Sequence, residues 1–387
     1  MARRSVALLG ATGSVGTQAL DVLRREPDRF ELVAISSGVQ LEPLAAIARE
    51  FNVARVGIAR EADAPAMVAL LGPGVEVVTG DDGLGVLAAS ADIVINAVVG
   101  FAGLPVTMAA LAAGKRLALA NKESLIAAAP LVAAVRGTPG AEILPIDSEH
   151  CAIHQCLVPS TSPGHPDVRR LILTASGGPF RGWSRERLHS ATRTDALQHP
   201  TWSMGPKITI DSSTLMNKGL EVLEASALFG VEVGRITVVV HPQSIVHSMV
   251  EYVDGSVIAQ LSKPDMRLPI AYCLGLPERL DHAWGELDFA GGLSLTFETP
   301  DREAFPALGL AYAAAERGGA APAWLSAANE IAVSACLDDR LAWNDIVAVV
   351  AEVMEDYVDD PLTNLADLVE NDAVARRLAA ASVTKRS

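Results

Sequence analysis

The chain has 387 residues and a formal net charge of −15; half of its residues are hydrophobic and 4% aromatic. That length suggests two or three domains and is ample for a large buried core. The acidity argues against a nucleic-acid partner, because phosphate neutralisation needs basic surface, and it requires any anionic ligand to find a site that overcomes the overall field.

The first residues are basic, but the apolar run after them is too short for a secretory signal. Residues 5–9 read as a strand, Gly10 opens a tight turn, and residues 17–25 have helical character. Further apolar strands are predicted at 30–35, 54–59, 75–79, 93–97, 116–120 and 143–146, with alanine-rich helical stretches between several of them. This alternation predicts a parallel sheet covered on both faces, a Rossmann-like α/β architecture. Residues 93–114 carry no charge, a length that could suggest a membrane helix, but Asn96, Gly100, Gly103, Pro105 and Thr107 interrupt the run. A buried strand and a crossover helix are predicted there instead.

The first turn, Gly10-Ala11-Thr12-Gly13-Ser14-Val15-Gly16, follows a strand and opens a helix. Small residues let a pyrophosphate approach the backbone, and the helix N-terminus supplies amide donors. A dinucleotide is the predicted ligand. The second strand ends in Ser36-Ser37-Gly38-Val39-Gln40, without the acidic residue that usually holds an NAD ribose. NADP is therefore the expected form, although no Lys or Arg stands in the segment.

Two strand ends carry charge. Asn121-Lys122-Glu123 follows one, and Asp147-Ser148-Glu149-His150 follows another. In an extended stretch Asp147 and Glu149 point the same way, which is the start of a site for a hard cation such as Mg²⁺ or Mn²⁺; a solvated acidic turn is the plainer alternative. Further on, a predicted strand breaks at Ser176-Gly177-Gly178, a turn that can present amides and a hydroxyl to an anion. Residues 199–206 form a loop carrying Trp202 and Met204, suited to a lid or to a loop packed on the core. In 211–221, Asp211 or Ser212 is expected to cap a helix on which Asn217, Lys218 and Glu221 share an edge. The hydroxyl, amide and ammonium suit a phosphate, and Glu221 can add a third carboxylate to a metal. A capped surface helix with an internal Lys–Glu pair is the other reading. Residues 241–262 read as a hairpin turning at Asp254-Gly255. The cysteines, Cys151, Cys156, Cys273 and Cys336, form no CxxC pair and are expected to be reduced thiols of a cytoplasmic protein.

Taken in order, GATGSVG (10–16), LANKES (119–124), DSEH (147–150), TASGGPF (174–180), HPTWSMGPK (199–207), DSSTLMNKGLE (211–221), HPQSIVHSMV (241–250) and AANEIAV (327–333) resemble the 1-deoxy-D-xylulose 5-phosphate reductoisomerase family. The resemblance implies an NADPH-dependent enzyme that rearranges and then reduces a sugar phosphate, with a divalent metal. It implies Asp147, Glu149 and Glu221 as metal ligands that, with Lys122, form the catalytic set. Substrate would meet Lys122, Ser148, Glu149, Ser176, His199, Trp202, Ser212, Asn217, Lys218 and Glu221, with Trp202 and Met204 on the lid. NADPH would meet Gly10, Thr12, Gly13, Ser14, Val15, Gly38, Gln40, Asn121, Glu123 and Gly205. One departure stands out: the family often has a lysine where this chain has Val39, so discrimination against NADH should be weaker.

The expected organisation is an NADPH-binding Rossmann-like domain (1–150), a central α+β catalytic domain with lid and dimerisation sheet (151–280), a linker (281–306) and a C-terminal helical bundle (307–387). The resemblance also implies a homodimer without membrane attachment. Three rivals remain open. A semialdehyde-dehydrogenase-like enzyme would need a nucleophilic cysteine, for which Cys151 is the candidate. An NADP-sensing protein would need the turn but not the carboxylates and Lys218. A diverged relative would act on another sugar phosphate. The negative charge is itself localised: residues 298–372 hold sixteen acidic side chains against three basic ones, whereas 199–220 hold Lys207 and Lys218 against Asp211.

Overall fold

The computed structural model describes residues 3–157, 165–282, 284–359 and 362–386. The apolar runs of the N-terminal half become strands β1 (Arg4–Leu9), β2 (Phe30–Ser37), β3 (Arg55–Ile58), β4 (Glu76–Thr79), β5 (Ile93–Asn96), β6 (Arg116–Leu119) and β7 (Glu142–Pro145). All pair in parallel, in the order β4-β3-β2-β1-β5-β6-β7. β5 is buried throughout and β1 along its last four residues, as a sheet covered on both faces requires. The chain steps outward from β1 to β4 and then returns to the other side of β1 with β5. Strand order reverses there, and ligands of open α/β sheets bind at such a point. The uncharged segment 93–114 is β5 followed by a helix at Leu104–Ala112. No helix among the described residues is long and apolar enough to cross a membrane.

Compactness divides the chain into two units, and the cut does not follow the boundaries expected along the sequence. The first unit joins residues 1–124 and 131–151 to a distant piece, 265–284. Within that piece the helix Arg267–Gly275 places Ile270, Cys273 and Leu274, all fully buried, in one apolar cluster with Val6 and Leu8 of β1. Arg116 donates to the Leu276 carbonyl at 2.7 Å, and Cys273 Sγ donates to the Pro145 carbonyl at 3.3 Å. An apolar helix can bury its surface on any partner, so nothing local in 267–275 announces this choice.

The second unit holds residues 125–130, 152–264 and 285–387. Its sheet contains β8 (Val168–Ala175), β9 (Ile236–Val240), β10 (Val246–Tyr252) and β11 (Val257–Leu261), in the order β11-β10-β8-β9. β8 and β9 are parallel and the other pairs antiparallel, so the sheet is mixed. The expected hairpin is β10–β11; Gly255 takes φ +85° in its turn. Helices Ala307–Arg317, Ala321–Leu337, Ile346–Glu355 and Leu365–Arg386 form the C-terminal bundle, whose cluster includes Phe180, Trp324 and Trp343. Among the described residues of 281–306 there is neither helix nor strand, only a bridge between Glu298 and Val240.

Candidate functional site

In the first unit the glycine-rich turn sits at the point of strand reversal. Gly10 takes φ +91°, and a Cβ there would lie 2.4 Å from the Ala97 carbonyl oxygen beyond β5. A Cβ on Gly16 would lie 2.2 Å from the Gly10 oxygen, so the helix Ser14–Arg25 can start this close to β1 only without a side chain. Gly13 is its N-cap and offers no side-chain cap, leaving first-turn amides to an anion. Ser36 and Ser37 close the other side: the Gly10 amide reaches Ser36 Oγ at 3.3 Å, and Thr12 Oγ1 meets Ser37 Oγ at 2.7 Å. Gly38, Val39 and Gln40 are exposed at the end of β2. Backbone that approaches this closely, uncapped amides and hydroxyls fit a dinucleotide pyrophosphate.

Strands β6 and β7 end in register, Leu119 beside Pro145. That pairing sets Lys122 and Asp147 beyond adjacent strand ends, and they form an ion pair there. The extended geometry expected for Asp147 and Glu149 is not what forms. A helix begins at Ser148, and Asp147 caps it: the Glu149 amide donates to Asp147 Oδ1 at 3.2 Å, and the Cys151 amide donates to the Asp147 carbonyl at 2.8 Å. Ser148 Oγ donates to Glu149 Oε2 at 2.5 Å. The carboxylates are thus neighbours through a helix start rather than through strand alternation; a hydrogen-bonding residue after a strand caps a helix readily. Oxygen donors of this kind suit a hard cation better than zinc. Asn121 is more engaged than a cofactor contact requires. Its amide donates to the Val98 and Gly100 carbonyls at 2.7 and 2.8 Å, and its oxygen accepts from the Ser124 amide at 2.9 Å. Its side chain therefore shapes the loop that bears Lys122 and Glu123.

In the second unit Ser176, Gly177 and Gly178 follow β8. Both glycines have positive φ, and a Cβ on Gly178 would lie 2.6 Å from the Ser212 carbonyl oxygen. This close approach seats the Ser-Gly-Gly turn on the segment that carries Ser212. His199 Nδ1 accepts from the backbone amides of Thr201 and Trp202, at 3.2 and 2.8 Å. Its proton therefore sits on Nε2, which donates to Ser176 Oγ at 2.9 Å. The Gly178 amide also donates to Ser176 Oγ, at 3.2 Å. With both acceptor positions of the hydroxyl used, its own hydrogen is directed to a further acceptor, as an anion would be. Trp202 is half-buried, its ring 5.9 Å from that of His247.

The expectation that Asp211 or Ser212 caps a helix fails. Pro206 opens a helix after Gly205, so Pro206–Ser213 already contains both residues; Leu215 at φ +60° then separates it from Met216–Phe229. Gly205, expected beside the cofactor, is the N-cap of the helix Pro206–Ser213. Asn217, Lys218 and Glu221 do share an edge: Asn217 Nδ2 donates to Glu221 Oε1 at 2.6 Å, and Lys218 Nζ pairs with Glu221 Oε2. Both charges are at least 96% buried, so each depends on the other.

Three side-chain pairings were not foreseen from the sequence. His150 is fully buried with Nδ1 3.9 Å from Asp147, which their i,i+3 spacing on a helix could have signalled. Lys207 pairs with Asp211 at 3.0 Å, an i,i+4 spacing hidden by the wrong helix start. Asn329 Nδ2 donates to Asp211 Oδ1 at 2.7 Å across 118 residues, which no local signal reveals. Cys151 is buried in the first unit's core, and a nucleophile needs exposure, which weakens the semialdehyde-dehydrogenase alternative.

Family models described as 1-deoxy-D-xylulose 5-phosphate reductoisomerase and its C-terminal domains match residues 6–129, 143–229 and 261–378. A 1-deoxy-D-xylulose 5-phosphate reductoisomerase of Laribacter hongkongensis is 49% identical over 379 residues, 96% of this chain and 97% of the relative. One from Anaeromyxobacter dehalogenans is 50% identical over 388 aligned positions, 99% and 98% of the two chains. The solved Zymomonas mobilis reductoisomerase in complex with NADPH is 42% identical with a TM-score of 0.90, covering 98% of this chain and 99% of that one. A DOX-P reductoisomerase in complex with NADPH, fosmidomycin and magnesium is 41% identical with a TM-score of 0.92, covering 98% of each chain.

Proposed function

This chain belongs to the 1-deoxy-D-xylulose 5-phosphate reductoisomerase family, and from that premise we propose the residues through which it works. It converts 1-deoxy-D-xylulose 5-phosphate to 2-C-methyl-D-erythritol 4-phosphate, using NADPH and a divalent metal. Bound NADPH supplies a hydride, and the bound cation, Mg²⁺ or Mn²⁺, supplies Lewis acidity.

In this reading Asp147, Glu149 and Glu221 hold the metal; all three offer oxygen donors. The turn 10–16, with Gly38, Gln40, Asn121, Glu123 and Gly205, receives NADPH, and the hydrogen bonds of Asn121 shape that neighbourhood. Lys122 and Ser148 orient the polar backbone of the sugar. Ser176, His199, Ser212, Asn217 and Lys218 hold the phosphate, far from the reacting carbons, where binding energy can orient the rest. Trp202 and Met204 exclude water over the substrate. The observation that carries the phosphate assignment is the Ser176 hydroxyl, whose two acceptor positions are filled by His199 and the Gly178 amide.

A cytoplasmic homodimer is part of the same reading. β11 is an edge strand that exposes Val257 and Ile258, and an edge with apolar side chains suits a second copy. The decisive experiment follows NADPH oxidation at 340 nm with 1-deoxy-D-xylulose 5-phosphate, with Mg²⁺, with Mn²⁺ and after chelation. Turnover that depends on both metal and this substrate supports the assignment; turnover indifferent to chelation refutes the metal set.

A further inference from the structure

The function so far gives the C-terminal bundle nothing to do, and the motif 327–333 within it no role. Yet two buried side chains of the bundle reach the helix Pro206–Ser213 on either side of Ser212. Asn329, fully buried in Ala321–Leu337, donates through Nδ2 to Asp211 Oδ1 at 2.7 Å. Trp343 Nε1 donates to Ser213 Oγ at 2.7 Å, and that hydroxyl in turn donates to the Ile210 carbonyl at 2.6 Å. Asp211 and Ser213 are each only 1% exposed.

Successive residues on an α-helix are turned by about 100° about its axis. Fastening positions 211 and 213 to the bundle therefore fixes the rotation of the helix and directs position 212, between them, away from it. Trp343 also packs edge-on against Phe180, ring centroids 4.6 Å apart, four residues beyond Ser176. Asp211 further pairs with Lys207, next to the lid segment 199–206. Lys207 already supplies the counter-charge of Asp211, so the Asn329 amide is not needed to neutralise it, and the Asn329 oxygen is left without a hydrogen bond among the described residues, a cost that stability alone does not explain.

We infer that Asn329 and Trp343 are positioning residues of the phosphate grip, setting the rotation of the Pro206–Ser213 helix so that Ser212 addresses the substrate's phosphate. The inference rests on the phosphate reading above. It gives the helical bundle a part in this site.

The test uses the full-length protein and two variants, Asn329→Leu and Trp343→Phe, each removing one donor while keeping most of the volume. Steady-state kinetics are measured for sugar phosphate and NADPH, with inorganic phosphate as competitive inhibitor and thermal midpoints recorded alongside. The expected result for Asn329→Leu is a rise of about tenfold in the KM for the sugar phosphate and in the Ki for inorganic phosphate. The KM for NADPH should stay within twofold. Trp343→Phe should show the same pattern at three- to fivefold, and remains decisive if the other variant does not fold. A lower thermal midpoint with unchanged KM and Ki, or a raised KM with unchanged Ki, overturns the inference. Failure of the functional reading looks different, because the unmodified protein would then show no turnover with this substrate.

Discussion

Gly16→Ala sets two physical effects of opposite sign against each other. Gly16 lies in the first turn of the helix Ser14–Arg25 with an ordinary helical φ, so intrinsic propensity alone predicts that alanine stabilises, by up to about 1 kcal/mol. Packing predicts the reverse. The added Cβ would sit 2.2 Å from the Gly10 carbonyl oxygen and 2.7 Å from the carbonyl carbon and oxygen of Ala11. All three are backbone atoms, so no rotamer relieves the overlap; the helix start must retreat by about 1 Å, at a cost typical of overpacking, about 1–3 kcal/mol. Packing should win, leaving a net loss of about 1–2 kcal/mol. Since the displaced amides are those offered to the pyrophosphate, the Kd for NADPH should rise about tenfold or more. NADPH fluorescence titration and thermal unfolding measure the two effects, with Gly38→Ala as control because a Cβ there meets nothing within 4 Å. If Gly16→Ala binds NADPH as tightly as the unmodified chain and melts no lower, the steric argument is wrong.

Three further predictions follow from individual side chains. Val39 is 67% exposed and next to open space at Gly38, so Val39→Lys can add a cation without a clash. The NADPH/NADH ratio of kcat/KM should rise by roughly fivefold, the value of one exposed ion pair, and an unchanged ratio would remove this position from the 2′-phosphate site. Glu221→Gln should abolish metal-dependent turnover, leave the NADPH Kd unaltered, and lower the thermal midpoint because buried Lys218 loses its counter-charge; full activity at ordinary Mn²⁺ concentration would exclude Glu221 as a ligand. Glu352 is held down to about 2 from an ordinary value of 4.5 by hydrogen bonds from Lys385, Ser382 and Arg386. A carboxylate depressed in the folded state contributes stability above its unfolded pKa and loses it as pH falls from about 4.5 toward about 2. Glu352→Gln should flatten the acid limb of the stability profile in that window, and an identical limb would show that the group contributes nothing.

Much of the molecule is legible residue by residue. The strands of the first sheet are apolar runs bounded by turn residues, and for inner strands such as β1 and β5 burial on both faces demands that composition wherever they end up, whereas the edge strand β4 buries none of its residues. The turn 10–16 declares itself because glycine is required where backbones nearly touch, and the edge shared by Asn217, Lys218 and Glu221 follows from helical periodicity. These features depend on a few consecutive residues and on local sterics. The family motifs add the chemistry in the same way, one short segment at a time.

Other features depend on which segments meet, and no local pattern carries that information. Asp147 reads as a strand residue but caps a helix, because the choice turns on where β7 stops beside β6. Asp211 reads as a cap but lies inside a helix that Pro206 opens earlier; Lys207, one turn before it on that helix, gives it a counter-charge, and Asn329 arrives from 118 residues away. Helix 267–275 is ordinary apolar sequence until the first sheet offers it a surface. Burial energy is non-directional, so it tells a segment to leave water without naming its partner; hydrogen bonds and ion pairs made across more than a hundred residues are settled only once the tertiary structure has brought both ends together.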